Sequence, residues 1–256
     1  MADIDVTTID YAQVYMPARG LAGDTLLAWQ DPTKSHLFVA IGDAAGKGVG
    51  PSLYAATCVS LLRPMAEEAK HPHLIMKSLN RTLCEYQASH MFLTMFLVRV
   101  DLNTFQVQYA SAGHNQMLLC RKDGSFDELS AKGIPLGIMP EFDYELGETQ
   151  IELGDRMFLY TDGVTEAEDL YQELYGKERL LDILSKNSES SSQDTLNAIK
   201  TSFSRVKMTT CKYKIQGKKI RCTEQPRVKM LESIFKNYSN IGKNGKQDRK
   251  SVSIIL

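Results

Sequence analysis

No two cysteines in this chain stand in a CxxC spacing, which removes the usual zinc-ribbon and thioredoxin-like readings. The five that are present (Cys58, Cys84, Cys120, Cys211 and Cys222) are odd in number and far apart, so no disulfide framework is expected. Cys58 falls in an apolar helical run and reads as core packing. No run of 18 apolar residues occurs, so no transmembrane helix is expected. Met1–Asp10 is acidic and polar, unlike a secretory leader, and a cytoplasmic location is expected. Net charge is only −1, so neither nucleic acid nor a membrane is expected as a partner of the whole chain. Gly46-Lys47-Gly48 is followed by Val49 where a phosphate-loop Ser or Thr would stand, which argues against nucleotide binding. Internal repeats are absent, and no Asp-Asp pair occurs anywhere.

What remains is ordinary soluble composition, with 43% hydrophobic and 24% charged residues in 256. That length holds one large domain, or one domain and a tail. The charge is split. Residues 207–256 carry 13 Lys and Arg against 3 acidic residues, net +10, leaving 17 against 28, net −11, for residues 1–206. A globular unit over 1–206 and a basic, disordered or unrelated tail over 207–256 are therefore expected.

Along the chain, short strand patterns at Tyr11–Tyr15, Thr25–Trp29 and His36–Ile41 precede two helical ones, about Pro51–Ala69 and Pro72–Gln87. Leu53, Ala56, Cys58, Leu61, Leu62 and Met65 would line the first helix; Leu74, Ile75, Leu79, Leu83 and Tyr86 the second. Strand patterns return at Phe92–Val100, Thr104–Ala110, Gln116–Arg121, Asp143–Glu152 and Arg156–Tyr160, and helical ones at Lys177–Ser185 and Ser192–Lys207. Strand runs enclosing a helix pair indicate an α+β fold with a largely antiparallel core.

Three carboxylates carry the chemistry. The apolar run Val39-Ala-Ile ends at Gly42-Asp43, followed by Ala44-Ala-Gly46 and a long helix. Arg19-Gly-Leu-Ala-Gly23 delivers Asp24 at the start of a strand, and Phe158-Leu-Tyr160-Thr161 ends in Asp162-Gly163. One such aspartate is usually a turn or cap residue. Three of them at strand ends, without well-placed His or Cys, select an oxygen-loving cation such as Mg²⁺ or Mn²⁺. Arg19 could hold a phosphate bidentately, and a plain surface arginine explains it equally. His114 could serve as a general acid or shape its turn; Asn115 could hydrogen-bond at the site or serve that turn.

Gly42-Asp43-Ala-Ala-Gly46-Lys-Gly48-Val, Ala112-Gly113-His114-Asn115, Pro135-Leu136-Gly137 and Leu159-Tyr160-Thr161-Asp162-Gly163-Val164-Thr165-Glu166-Ala167 resemble the SpoIIE/RsbU-type bacterial branch of the metal-dependent (PPM, protein phosphatase 2C-like) serine/threonine phosphatases. The resemblance covers about residues 11–206 and implies a sandwich of two antiparallel β-sheets flanked by helices. It implies removal of phosphate from a small phosphoprotein, such as an anti-sigma-factor antagonist in a partner-switching pathway, with two Mn²⁺ or Mg²⁺ ions. By position, Asp43 matches the residue bridging the metals, the Ala44 carbonyl a ligand of the first ion, Asp162 a ligand of the second, and Asp24 the acidic residue near them. Asp43 and Asp162 are thus the expected catalytic carboxylates, Arg19 the phosphate contact, and Gly42, Gly46, Asn115 and Gly163 shape the site. Activation is expected from a partner protein or from self-association through the helix pair after Asp43.

One departure stands out. The family closes its site with an Asp-Asp-hydrophobic-Thr motif leading into a last strand, where an aspartate supplies another ligand. This chain reads Met208-Thr-Thr-Cys-Lys-Tyr-Lys-Ile there, and downstream only Asp248 remains. A tail read in a shifted frame after about Arg205 would account for this, because the ATG-ACN codons of Met208-Thr209 contain the aspartate triplet GAC. The alternative function is therefore a relative with weak or no catalysis that binds a partner protein.

Overall fold

The computed structural model describes residues 9–15, 23–46, 48–86, 91–167, 173–208, 214–215, 218–219 and 252–255. Strand β3 (His36–Ala44) explains the architecture by its alternation. Leu37, Val39 and Ile41 enter one core while Phe38 and Ala40 enter another, so both faces of its sheet are covered. A doubly covered strand needs a continuous apolar run, and Leu37–Ile41 is one.

The first sheet has the order β2-β3-β4-β5-β8, with β2 (Asp24–Gln30), β4 (Leu93–Asp101), β5 (Gln106–Ala112) and β8 (Gly147–Gln150), all neighbours antiparallel. Helices α1 (Val49–Ala69) and α2 (Pro72–Tyr86) cover its outer face through Tyr54, Cys58, Leu62, Ile75, Met76 and Leu79, packed on Trp29, Phe38, Met95 and Leu97. The second sheet contains β1 (Ile9–Ala12), β6 (Met117–Cys120), β7 (Phe126–Leu129) and β9 (Arg156–Phe158). Its outer face packs Leu118, Cys120, Phe158 and Tyr160 on α4 (Lys177–Lys186) and α5 (Ser192–Met208). Val98, Phe96, Met117, Leu119 and Met157 fill the space between the sheets. The result is a four-layer α/β/β/α sandwich.

Three expectations are corrected. The buried stripe of α1 is Tyr54, Ala55, Cys58, Leu62 and Ala66, while Leu53 is 63% exposed. That helix carries apolar residues on more than one side, so its pattern does not single out the buried face. Phe126–Leu129 is an unanticipated strand, and α3 (Asp162–Thr165) an unanticipated short helix.

The third correction concerns the basic segment 207–256. The helix α5 runs into it as far as Met208. Short strands β10 (Lys214–Ile215) and β11 (Lys218–Lys219) pair with each other. Strand β12 (Val252–Ile255) then inserts between β1 and β9, parallel to both. Residues 252–255 therefore lie within the sandwich, and the second sheet, antiparallel at β6–β7 and β6–β9, gains two parallel pairs from β12. The physical reason is local: Val252-Ser-Ile-Ile255 is a β-branched apolar run, and β1 and β9 each present an edge that it can pair. Among the described residues no helix is long and apolar enough to cross a membrane.

Candidate active site

The β2–β3 pairing places Asp24 directly opposite Asp43, followed by Thr25 opposite Gly42. Two carboxylates at cross-strand partner positions repel, because directly opposed residues are neighbours on a sheet face. The turn into β2 is held close: the Ala44 amide donates to the Gly23 carbonyl at 3.2 Å. A Cβ at position 23 would lie 2.7 Å from the Ala44 carbonyl oxygen and 3.1 Å from Asp43 Oδ1. Both oxygens therefore face the glycine that precedes Asp24, and only glycine fits there. Gly42 is required for the same reason, since a Cβ there would sit 2.5 Å from the Thr94 carbonyl oxygen.

Asp162 comes from the other sheet, heading α3 just after β9. Its charge, the Asp24 charge and burial together push the Asp43 carboxyl up to about 6, burial being the largest cause. Asp24 is raised likewise by burial and by Asp162, opposed by a hydrogen bond with Thr161. The phenol of Tyr15 is raised by burial and then by Asp24 and Asp43, which places this residue beside the pair as well. Three carboxylates from the ends of both sheets thus face one another.

Two of them, Asp43 and Asp162, line a cleft of about 250 Å³ together with Thr94, His114, Asn115 and Phe92, with no Lys or Arg among its described lining residues; Asp24 stands behind Asp43 as its strand partner. Thr94 is the β4 partner of Asp43; its hydroxyl lies 3.4 Å from the Asp43 carbonyl and 3.0 Å from His114 Nδ1. His114 follows Gly113, whose φ of 68° makes the turn, and its amide donates to Ser111 Oγ at 3.2 Å. Burial lowers the His114 pKa to about 4, against the opposing influence of the Tyr160 backbone and Asp162. The imidazole is neutral at neutral pH, so it holds Thr94 in place and adds no charge to the cleft.

Asp24, Asp43, Ala44, Asp162 and Asn115 are therefore brought together. Gly46 has a φ of 103°, as the turn after the cluster requires. Gly163 lies beside Asp162 with only Thr161 Oγ1 near, at 3.6 Å from a Cβ position, so close packing does not demand glycine there. Arg19 lies outside the described residues. Asp194 is engaged elsewhere, with its carboxylate accepting from Ser191 Oγ at 2.7 Å at the start of α5. Sequence reasoning missed Thr94 and Tyr15; neither belongs to a local motif, and Thr94 reaches the site only through strand register.

The donor chemistry fits a hard divalent cation, since mutually repelling carboxylates with no ammonium or guanidinium among the described residues lining the cleft gain most from one. The cage is not closed as it stands. Among the described residues no group of three or more His, Cys, Asp or Glu is already arranged to hold a metal ion. Strand β12 brings no carboxylate, its residues being Val, Ser, Ile and Ile.

The sequence profile described as Stage II sporulation protein E (SpoIIE) matches residues 33–214. Phosphoserine phosphatase RsbU of Bacillus subtilis is 35% identical over 163 residues, covering 62% of this chain and 47% of that protein. The chain thus spans less than half the length of that relative. Among solved structures, the RsbU and RsbW domains of a Mycobacterium tuberculosis protein superpose with a TM-score of 0.65 at 19% identity, over 78% of this chain and 58% of that one. RsbX in complex with magnesium gives a TM-score of 0.55 at 19% identity, over 72% and 81%. The structural neighbours share the layered PPM phosphatase fold, and with its profile matched over most of its length the chain belongs to the SpoIIE family.

Proposed function

We propose that this protein is a metal-dependent protein serine/threonine phosphatase acting on a small phosphoprotein of the anti-sigma-factor-antagonist type, within a partner-switching pathway and in the cytoplasm. The observation that carries the reading is that Asp43 and Asp162 line one cleft, with Asp24 paired opposite Asp43, and no Lys or Arg stands among the described lining residues. The RsbU relative bears the name phosphoserine phosphatase, and RsbX is described with magnesium, which supports both the reaction and the ion class.

Asp43, Asp24, the Ala44 carbonyl and Asp162 would hold two Mn²⁺ or Mg²⁺ ions. When bound, such ions lower the pKa of a water and offset charge on phosphoryl oxygens. The chain's own groups do the rest. Gly23 and Gly42 let the strand ends approach so that the carboxylates converge. Thr94 ties the β3 end to neutral His114, which keeps a charged imidazole away from the ions. Asn115 lines the cleft as an uncharged hydrogen-bonding group for the phosphate; Arg19, outside the described residues, keeps the phosphate-binding role that its motif implies. No covalent protein nucleophile is required.

A second reading, a weakly active or inactive relative that binds a partner protein, is favoured by the absence of a further carboxylate from β12. Phosphate release from a phosphoserine protein, measured against added Mn²⁺ with Asp43→Asn as control, separates the two. Metal-dependent turnover lost in the variant supports the phosphatase. Equal, metal-independent background in both proteins supports the partner-binding relative.

A further inference from the structure

A second cleft, of about 380 Å³, adjoins the first and shares His114, Asn115 and Asp162 with it before continuing to Tyr160, Glu166 and Lys177. The reading of the first cleft leaves it without a role. Of the described residues lining either cleft, Lys177 alone carries a permanent positive charge, since His114 is neutral. Lys177 is the first residue of α4, where a cation opposes the helix dipole and does nothing for the helix. Its ammonium meets Glu128 Oε2 at 2.5 Å, yet the two side chains remain 34% and 43% exposed. An ion pair that wet contributes little and exchanges readily for another carboxylate.

We propose that this second cleft receives the polypeptide flanking the phosphorylated residue, and that Lys177 selects an acidic side chain there by taking it in place of Glu128. The inference rests on the phosphatase reading for what occupies the first cleft. It follows from adjacency and charge: a phosphorylated side chain reaching Asp43 and Asp162 must lay its own backbone alongside, and the open side beyond Asp162 leads to Lys177. Glu166 and Glu128 would repel an acidic residue placed elsewhere along this surface, so one position of the substrate is singled out.

The test uses the full chain and labelled phosphoserine peptides that differ only in one Glu or one Lys, moved through about three positions on either side of the phosphoserine, with an all-Ala flank as reference. Binding is read by fluorescence anisotropy and turnover by phosphate release, for wild type, Lys177→Ala and Lys177→Glu, with melting curves confirming folded variants. The expected result is that one Glu position improves binding and kcat/KM about tenfold in wild type. That preference disappears in Lys177→Ala and turns towards a Lys-bearing peptide in Lys177→Glu. Equal losses for the Glu and Ala peptides would overturn the proposal, because Lys177 would then hold the phosphate or the protein itself. A wild type indifferent to Glu overturns it too. Should no peptide be hydrolysed while the Lys177-dependent binding preference persists, the phosphatase reading falls and the flank site stands.

Discussion

Asp24 and Asp43 stand directly opposite each other across β2 and β3, one opening its strand and the other near the end of its own. Folding therefore brings two like charges together and adds Asp162 as a third; burial first, and then these two charges, raise the Asp43 carboxyl to about 6. The repulsion is built into the backbone register, so side-chain rotation alone cannot remove it.

Without metal, this cluster should weaken the fold in a pH-dependent way. Between the ordinary carboxylate value and about 6, folded Asp43 keeps a proton that the unfolded chain has released, so stability falls as pH rises through that window. The full shift corresponds to about 3 kcal/mol, reduced to about 1 kcal/mol because Asp43 is partly exposed and screened. Asp43→Asn should therefore melt higher than wild type above pH 6, with the difference closing near pH 4. Mn²⁺ or Mg²⁺ should raise the melting temperature of wild type and leave Asp43→Asn unmoved. Melting curves of both proteins in chelator and in metal, across that pH range, provide the comparison; identical metal responses would remove Asp43 from the ion site.

Much of this site is legible in the amino-acid order because Asp43 and Asp162 each end an apolar run and Asp24 opens one, all three beside glycine, a pattern the fold keeps at strand ends. The sandwich is legible for the same reason, since Leu37–Ile41 and Leu93–Val100 are too apolar for a strand with one wet face. Illegible parts depend on distant partners. Thr94 reaches the site through a register partner 51 residues earlier in the chain. Phe126–Leu129 mixes Asp and Glu with Phe and Leu, and it forms a strand because β6 offers an edge. The α1 face is ambiguous in sequence, because a helix with apolar residues on more than one side is oriented by what it packs on. Val252–Ile255 stands at the end of a lysine-rich stretch whose composition hides it.

Gly42 and Gly163 both precede or follow a site aspartate, yet they should respond oppositely to alanine. At Gly42 the new Cβ would meet the Thr94 carbonyl at 2.5 Å, so β3 and β4 must part beside Asp43. A loss of about 1–3 kcal/mol is expected, together with weaker metal binding. At Gly163, inside α3, the nearest atom is 3.6 Å away, and alanine should be neutral or raise stability by up to about 1 kcal/mol. Urea titrations of the two variants decide this, and equal destabilisation would contradict the packing argument.

Arg156 is buried on β9, six residues before Asp162, and it donates to the Asn187 and Ser190 carbonyls and to Thr195 Oγ1. These bonds fasten β9 to the connection between α4 and α5. Arg156→Met should cost about 2–4 kcal/mol, because carbonyls inside the protein lose their donor. Arg156→Lys should recover little of that, as one ammonium cannot reach the three acceptors served by the guanidinium fork. Full rescue by lysine, seen in the same unfolding experiment, would show that charge alone matters there.

The last strand supplies a separate test of what the basic segment does. β12 pairs on both sides, with Ser253 beside Arg156 and Ile255 beside Phe158, so it advances in the same direction as β9. Its beginning therefore lies at the Arg156 end, and Asp162 follows the opposite end. Val252, the first residue of the strand, therefore lies at the end away from Asp162. Truncation after Met208 should then cost stability, since β1 and β9 each lose a neighbour, and the melting temperature should fall by several degrees. The affinity of the folded fraction for Mn²⁺, measured calorimetrically well below that temperature, should stay unchanged. If truncation leaves the melting temperature untouched, β12 does not hold the sheet, and residues 207–256 return to being a tail foreign to the sandwich. If truncation weakens Mn²⁺ binding, the segment supplies a ligand after all.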